Sequence, residues 1–160
     1  MLVWRTPELI CCISEEEVMS ESRRWGRSVV AVVAGIFVGA ALALGLDEVL
    51  HLLKVYPPWG ERMSDGLFVL ATAYRLVFSV IGSYVTARLA PSRPMAHSLF
   101  AGALGVLVCI AGAVATWNKD IGPHWYSVGL AVTALPCAWM GAWLWERRQS
   151  NLPETSMSRS

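Results

Sequence analysis

The chain has 160 residues, of which 55% are hydrophobic and 16% are charged, and its formal net charge at pH 7 is +1. Soluble globular domains carry about 25% charged residues, so this composition excludes an ordinary soluble fold. A net charge so close to zero provides no basic face and excludes a nucleic-acid-binding module.

The charged residues are clustered, which leaves four long apolar runs between them. Three runs contain no Asp, Glu, Lys or Arg, and the run at 66–87 contains Arg75 alone. Each run is close to the ~20 residues that a helix needs to cross a hydrocarbon core of about 30 Å. The sequence therefore predicts an all-α integral membrane four-helix bundle, with a transmembrane domain at 25–147 and spans at about 27–50, 66–88, 97–117 and 125–145.

The segments outside the spans are polar. Residues 1–24 are rich in Glu and show no sustained apolar period, which is typical of a disordered tail. A start of translation at Met19, with residues 1–18 an over-extended reading frame, explains the same segment equally well. A basic flank and small residues at 41–43 also resemble a signal peptide, but apolar residues continue to Leu53, which favours a span. Residues 148–160 form a second tail, predicted to be disordered.

The distribution of Lys and Arg around the spans predicts their orientation. Seven Arg residues lie beside the termini and the second loop, whereas three basic residues lie in the first and third loops. Because positive charge is concentrated in cytoplasmic segments, we expect both termini in the cytoplasm and the first and third loops outside. Tryptophans near the span ends, such as Trp25, Trp117 and Trp145, are typical of the membrane interface.

Small residues recur every four positions in all four spans, which places them on one helical face. Span one carries Gly35 and Gly39, and the later spans carry Gly105, Gly129 and Gly141. Small residues at this spacing let helix backbones approach closely, so we expect these five glycines at helix interfaces. The pattern fits a tight bundle within one chain and equally a homodimer through span one, and the sequence leaves both open.

Arg75 is the most informative residue of the chain. It lies ten residues into span two counted from Gly66, near the middle of the membrane. A charge at that depth costs at least about 2.5–3.5 kcal/mol, so Arg75 must face protein or water and have a partner. One hypothesis is a structural pair with Glu48 or Asp47, near the outer end of span one. The other is a polar site, completed by Tyr74, that binds an anion or carries a proton or substrate.

Several titratable side chains are predicted on the outer side. Asp47 and His51 lie one helical turn apart, and the loops add Glu61, Asp65, Asp120 and His124. Histidine and carboxylate groups suit metal or proton sites, but no pair has the spacing of a known metal motif. The four cysteines have no zinc spacing, and no P-loop, HExxH, GxSxG or dinucleotide fingerprint is present. We therefore predict no metal and no cofactor, and we name no catalytic residue.

Five stretches of the chain carry a resemblance. They are YPPWGERMSDG at 56–66, ATAYR at 71–75, GSYVTARLAP at 82–91, AVATWN at 113–118 and ALPCAW at 134–139. Together they resemble small, uncharacterised bacterial inner-membrane proteins, over about residues 23–145. The resemblance implies four spans in a bacterial inner membrane, and it implies no activity, ligand or functional residue.

These observations favour a small integral membrane protein of structural or accessory type, which works in the lipid bilayer as a homodimer or with a larger membrane partner. The alternative is a small transporter or channel subunit that uses the polar site around Arg75. A membrane enzyme with outer-side His and Asp groups is a third, more distant hypothesis, and it predicts that those side chains surround one cleft. A water-filled path to Arg75 would favour the transporter over the accessory protein.

Overall fold

The computed structural model describes residues 7–58, 61–118 and 122–151, with the side chains of 7–20 and 22 excepted. The described residues form four α-helices and no strand: α1 (Pro7–Leu52), α2 (Asp65–Leu89), α3 (Pro94–Thr116) and α4 (His124–Ser150). All four are long and apolar enough to cross a membrane, and in α1 the candidate span among the described residues is Arg23–Leu52. The chain is therefore an all-α bundle of four membrane-spanning helices, as its composition predicts.

The first helix differs from the prediction at its N-terminal end. The sequence predicts a disordered segment at 1–24, whereas α1 begins at Pro7 and continues without a break into the span. Proline is favoured in the first turn of a helix, and the Glu residues that follow are good helix formers, so this polar segment extends the helix. At the other end α4 reaches Ser150, and residues 1–6 and 152–160 lie outside the described part of the chain.

The central helix of the bundle is α2. It packs against α1, α4 and, less extensively, α3, while α3 packs mainly against α4. Contact between α1 and α3 is light, and no described residue of α1 contacts α4. The helices therefore follow one another around the bundle in the order α1–α2–α4–α3, and the light contact between α1 and α3 closes the ring. Large apolar side chains such as Phe37 and Val114 are exposed on the outside, which is typical of a surface that faces lipid.

Helix backbones touch in one half of the bundle. Gly35 of α1 faces Gly82 of α2, and a Cβ atom at Gly82 would lie 2.7 Å from the Gly35 carbonyl oxygen. A Cβ atom at Gly141 of α4 would lie 2.6 Å from the Val80 carbonyl oxygen of α2. No side chain larger than hydrogen fits at such distances without a shift of the backbone. We call this region the packed half, and it comprises Gly35, Gly82, Thr86, Ser98, Gly102 and Gly141.

Two hydroxyl groups are fully buried in the packed half. Thr86 and Ser98 are both 0% exposed. The Thr86 Oγ1 donates to the Gly82 carbonyl oxygen at 3.2 Å, and the Ser98 Oγ donates across the helix interface to the Ser83 carbonyl oxygen at 3.0 Å. Both buried donors are thus satisfied by backbone oxygens, as a membrane interior requires.

The five glycines predicted at helix interfaces do not all pack. Gly35, Gly39 and Gly141 lie close to α2, so the Gly35–Gly39 face of α1 serves packing within the chain. Gly105 is looser, since a Cβ atom there would lie 4.0 Å from the nearest atom. Gly129 has open space in place of a neighbour, so it makes no close helix contact within this chain, and its predicted packing role stays a prediction. A four-residue period places small residues on one face, but it does not determine which part of that face meets another helix.

Candidate functional site

Arg75 of α2 forms an ion pair with Asp47 of α1. Its Nη2 donates to the Asp47 Oδ2 at 2.5 Å, and the Tyr74 hydroxyl donates to the other carboxylate oxygen, Oδ1. The side chain of Asp47 is 8% exposed and that of Arg75 is 32% exposed. The pair therefore joins two membrane-spanning helices, with the carboxylate buried and part of the guanidinium accessible.

Glu48, the other acid that the sequence offers as a partner, lies outside this site and is exposed. A step of one residue turns a side chain by about 100° around an α-helix, so Asp47 and Glu48 cannot both face α2. Of the four residues predicted for the polar site, the structure brings Asp47, Tyr74 and Arg75 together. It separates Glu48 from them.

The C-terminal end of α1 brings a second tyrosine to the ion pair. Lys54 is left-handed, with a φ of 57°, and the next N–H, that of Val55, donates back to the Leu50 carbonyl oxygen at 3.0 Å. This geometry is a Schellman motif, which usually has Gly at the left-handed position. It returns the chain toward α2, where the hydroxyl of the buried Tyr56 lies 3.3 Å from the Tyr74 hydroxyl.

A cavity of about 440 Å³ opens beside the ion pair, and residues of all four helices and of the first loop line it. Of the α2 residues that line the cavity, Arg75 lies farthest along the helix from the first loop. Part of the wall is aromatic: the rings of Phe68 and Tyr126 pack with their centroids 5.1 Å apart. The Arg75 Cζ lies 5.9 Å from the centroid of the Tyr126 ring. The cavity therefore combines an ion pair at its inner end with apolar and aromatic walls.

The mouth of the cavity lies at the end of the bundle that carries the first and third loops. Glu61, Trp117 and His124 line it there, and the rings of Trp117 and His124 are in contact, with centroids 4.3 Å apart. His51 lies between the mouth and the ion pair, and its Nδ1–H donates to the Asp47 carbonyl oxygen at 2.8 Å. Polar groups thus lead from the loops down to Asp47.

The fold brings together only some of the titratable side chains that the sequence predicts on the outer side. His51, Glu61 and His124 line the cavity together with Asp47. Asp65 is exposed in the first turn of α2, and Asp120 lies outside the described residues. Within 7–58, 61–118 and 122–151, no group of three or more His, Cys, Asp or Glu side chains could hold a metal ion.

Two tyrosines of the site, Tyr56 and Tyr126, are absent from the sequence prediction. Tyr56 directly precedes a Pro-Pro pair, and a stiff loop that follows a span is a signal that could have drawn attention to it. Tyr126 follows Trp125 at the start of a span, where it is indistinguishable from an ordinary interface aromatic residue. Nothing in the sequence distinguishes a tyrosine of the site from a tyrosine of the membrane interface at this position.

The guanidinium of Arg75 retains capacity for a further partner. Its Nη2 is held by Asp47, and its Nε, which has no hydrogen-bond partner among the described residues, is too buried to meet a ligand. The rest of the guanidinium belongs to a side chain that is 32% exposed and lines the cavity. Arginine carries five N–H donors in a planar fork that matches a carboxylate or phosphate group. The arrangement can therefore bind an anionic group that enters the cavity.

Comparison with known proteins adds no further assignment: no family model, no curated protein and no solved structure matches this chain.

Proposed function

We propose that this chain is an accessory, ligand-binding subunit of a small membrane transport system, and that it receives a small organic anion in the cavity beside Arg75. The single observation that carries the proposal is the position of the Arg75–Asp47 pair at the inner end of a cavity of about 440 Å³. Ionisable groups inside a membrane are costly, and they commonly mark substrate or ion pathways.

A purely structural ion pair needs no cavity. Its two side chains are most stable when neighbouring helices close around them and satisfy their remaining hydrogen bonds. Here the side chain of Arg75 is 32% exposed, and the cavity is within the ~300–1,000 Å³ range of small-molecule sites. The space beside the guanidinium is therefore the feature that favours ligand binding over a structural role.

The cavity walls define the class of ligand. The guanidinium supplies the polar contact, and Phe68, Tyr126 and Trp117 supply apolar and aromatic surface. Ligand sites typically combine a mostly apolar lining with a few polar groups that fix orientation. A carboxylate with a compact apolar or aromatic body is complementary to both features.

The packed half argues for an accessory role. Gly35 and Gly82 bring α1 and α2 into backbone contact there, and Gly141 does the same for α4 and α2. A solute that reaches Arg75 from the loops therefore meets helices in backbone contact beyond it, next to a smaller cavity of about 170 Å³ that Gly35, Gly82 and Gly102 line. In this proposal a second copy of the chain, or a larger membrane partner, supplies the remainder of the path.

We place the protein in a bacterial inner membrane with both termini in the cytoplasm. The bacterial inner membrane rests on the resemblance of stretches such as 56–66 and 82–91, whereas the orientation is supported by the excess of Arg at one end of the bundle. At that end the Arg148 Nη1 donates to the Tyr84 hydroxyl at 3.1 Å, and the Arg147 Cζ lies 4.0 Å from the centroid of the Trp143 ring. The mouth of the cavity is at the opposite end, on the outer side of the membrane.

The test is calorimetric titration of the full chain in lipid nanodiscs with benzoate. We expect saturable binding by the natural sequence and at least tenfold weaker binding, about 1.4 kcal/mol, by Arg75→Gln. The matched control is Arg88→Gln, because Arg88 is an exposed arginine in the last turn of the same helix. It should bind as the natural sequence does.

A double variant guards against misfolding. Arg75→Gln leaves Asp47 without its cation, whereas Asp47→Asn combined with Arg75→Gln leaves no unpaired charge. We expect the double variant to fold and to lose benzoate binding as well. Absence of binding by the natural sequence, or equal binding by the double variant, contradicts the proposed function.

A further inference from the structure

We propose that the anion enters together with a proton, and that the proton is taken up by Asp47. This inference rests on the proposed function and deepens it, because it assigns a chemical stoichiometry to the same cavity. The ligand is then a monocarboxylate plus one proton, so the net charge of the cavity does not change on binding.

The charge balance of the ion pair leads to this inference. Arg75 and Asp47 carry opposite unit charges and are in direct contact, so together they contribute no net charge to the cavity. An anion that binds the guanidinium places a second negative group beside the Asp47 carboxylate. Two carboxylates that share one site cannot both stay ionised without a large cost, and one of them takes a proton.

Asp47 is the acid best placed to take up the proton. The titratable groups that face it or the cavity are His51 on α1, Tyr56 and Glu61 in the first loop, Arg75 and Tyr74 on α2, Cys109 on α3, and His124 and Tyr126 on α4. Glu61 is exposed and remains in contact with water. Asp47 is the buried carboxylate of this set, and it already contacts the guanidinium that the ligand would bind.

Two tyrosines connect Asp47 toward the loop end of the cavity. The Tyr74 hydroxyl donates to the Asp47 Oδ1, and the Tyr56 hydroxyl lies 3.3 Å from the Tyr74 hydroxyl. A proton that arrives at the Tyr56 oxygen lets Tyr56 pass its own proton to Tyr74, and Tyr74 passes its proton to Oδ1. One O–H bond forms on Asp47, and each tyrosine ends with its hydroxyl restored. The neutral Asp47 then no longer repels the negative charge of the ligand beside Arg75.

The test uses an anion that cannot itself take up a proton near neutral pH. Benzenesulfonate has the same aromatic ring and the same single negative charge as benzoate, and it stays ionised at every pH used. The full chain in nanodiscs is titrated with it at one pH in buffers of different ionisation enthalpy, and the heats give the protons taken up per ligand bound. We expect uptake of close to one proton and tighter binding as the pH falls.

Matched variants identify the residue that takes up the proton. Asp47→Asn should bind benzenesulfonate with no proton uptake and no dependence on pH, whereas Glu48→Gln, which changes the neighbouring exposed acid, should retain uptake. Infrared difference spectra of the natural chain give a readout that does not depend on the folding of any variant. They should show the band of a protonated carboxyl group when ligand is added.

The two proposals fail in different ways. Binding of benzenesulfonate without proton uptake, or uptake that persists in Asp47→Asn, overturns the coupling and leaves the anion site intact. If proton uptake disappears in His124→Gln and persists in Asp47→Asn, the proton binds at the mouth of the cavity. This outcome also overturns the coupling through Asp47. Failure of the natural chain to bind either benzoate or benzenesulfonate overturns the proposed function itself.

Discussion

The two halves of the bundle are held together by different interactions. In the packed half, Gly35 and Gly82 allow backbone contact, and the buried Ser98 hydroxyl bonds a neighbouring helix. In the half that contains the cavity, α1 and α2 are joined through the ion pair of Asp47 and Arg75. The difference suggests a division of labour, in which close packing fixes the helix positions and leaves the polar half free to surround a ligand.

The largest expected loss of stability follows from breaking the ion pair. Asp47→Ala leaves Arg75 without its carboxylate, and removal of one partner from a buried pair costs about 3–5 kcal/mol. We expect a loss of stability of about 3 kcal/mol, the lower end of that range, because the Arg75 side chain is 32% exposed. The measurement is thermal unfolding in detergent micelles, followed by circular dichroism.

Glu48→Ala is the matched control for this measurement. Glu48 is the adjacent acid on the same helix, and it is exposed. We expect its replacement to change stability by less than about 0.5 kcal/mol. Equal effects of the two substitutions would show that the ion pair does not hold the cavity half together.

A smaller loss is expected when a side chain is forced into the packed half. Gly82→Val introduces a Cβ atom 2.7 Å from the Gly35 carbonyl oxygen, so α1 and α2 must separate. Overpacking of this kind costs about 1–3 kcal/mol. The same unfolding measurement on Gly45→Val provides the control, because a Cβ atom at Gly45 meets open space. A loss of stability that is no larger for Gly82→Val than for Gly45→Val would contradict the close approach of α1 and α2.

The fold was predictable from the sequence because membrane spans follow from composition alone. Runs of about 20 apolar residues can satisfy their backbone groups inside lipid only as helices or closed barrels, and the uninterrupted runs here have helical length. The tail at 1–24 was harder to predict, since a polar segment rich in Glu fits both a disordered tail and the helix that begins at Pro7.

The candidate site was predictable in part. The cost of a charge inside the membrane identifies Arg75 as a residue that needs an acid, and connectivity limits that acid to the end of span one. The choice between Asp47 and Glu48 depends on the rotation of α1 about its axis, which packing determines and the sequence does not encode locally. The position of Tyr56 depends on a left-handed Lys54, where a sequence signal would require Gly or Asn.

The smallest expected effect concerns the buried hydroxyl of the packed half. Ser98→Ala removes the bond of 3.0 Å from the Ser98 Oγ to the Ser83 carbonyl oxygen, which joins α3 to α2. Hydrogen bonds between membrane helices contribute about 0.6 kcal/mol on average and up to about 1.7 kcal/mol. Because Ser98 is 0% exposed, we expect a loss of about 1 kcal/mol in the same unfolding measurement.

Ser28→Ala is the matched control for this last measurement. The Ser28 Oγ donates to the Arg24 carbonyl oxygen of its own helix at 3.1 Å in an exposed hydrogen bond, so its removal breaks no contact between helices. We expect no measurable change in stability for this variant. If Ser98→Ala also leaves stability unchanged, the packing of small residues alone holds the packed half together. The hydrogen bonds of its buried hydroxyl groups then add no net stability. If Ser98→Ala costs as much as Asp47→Ala, hydrogen bonds and charge are equally important in the two halves, and the contrast between them disappears.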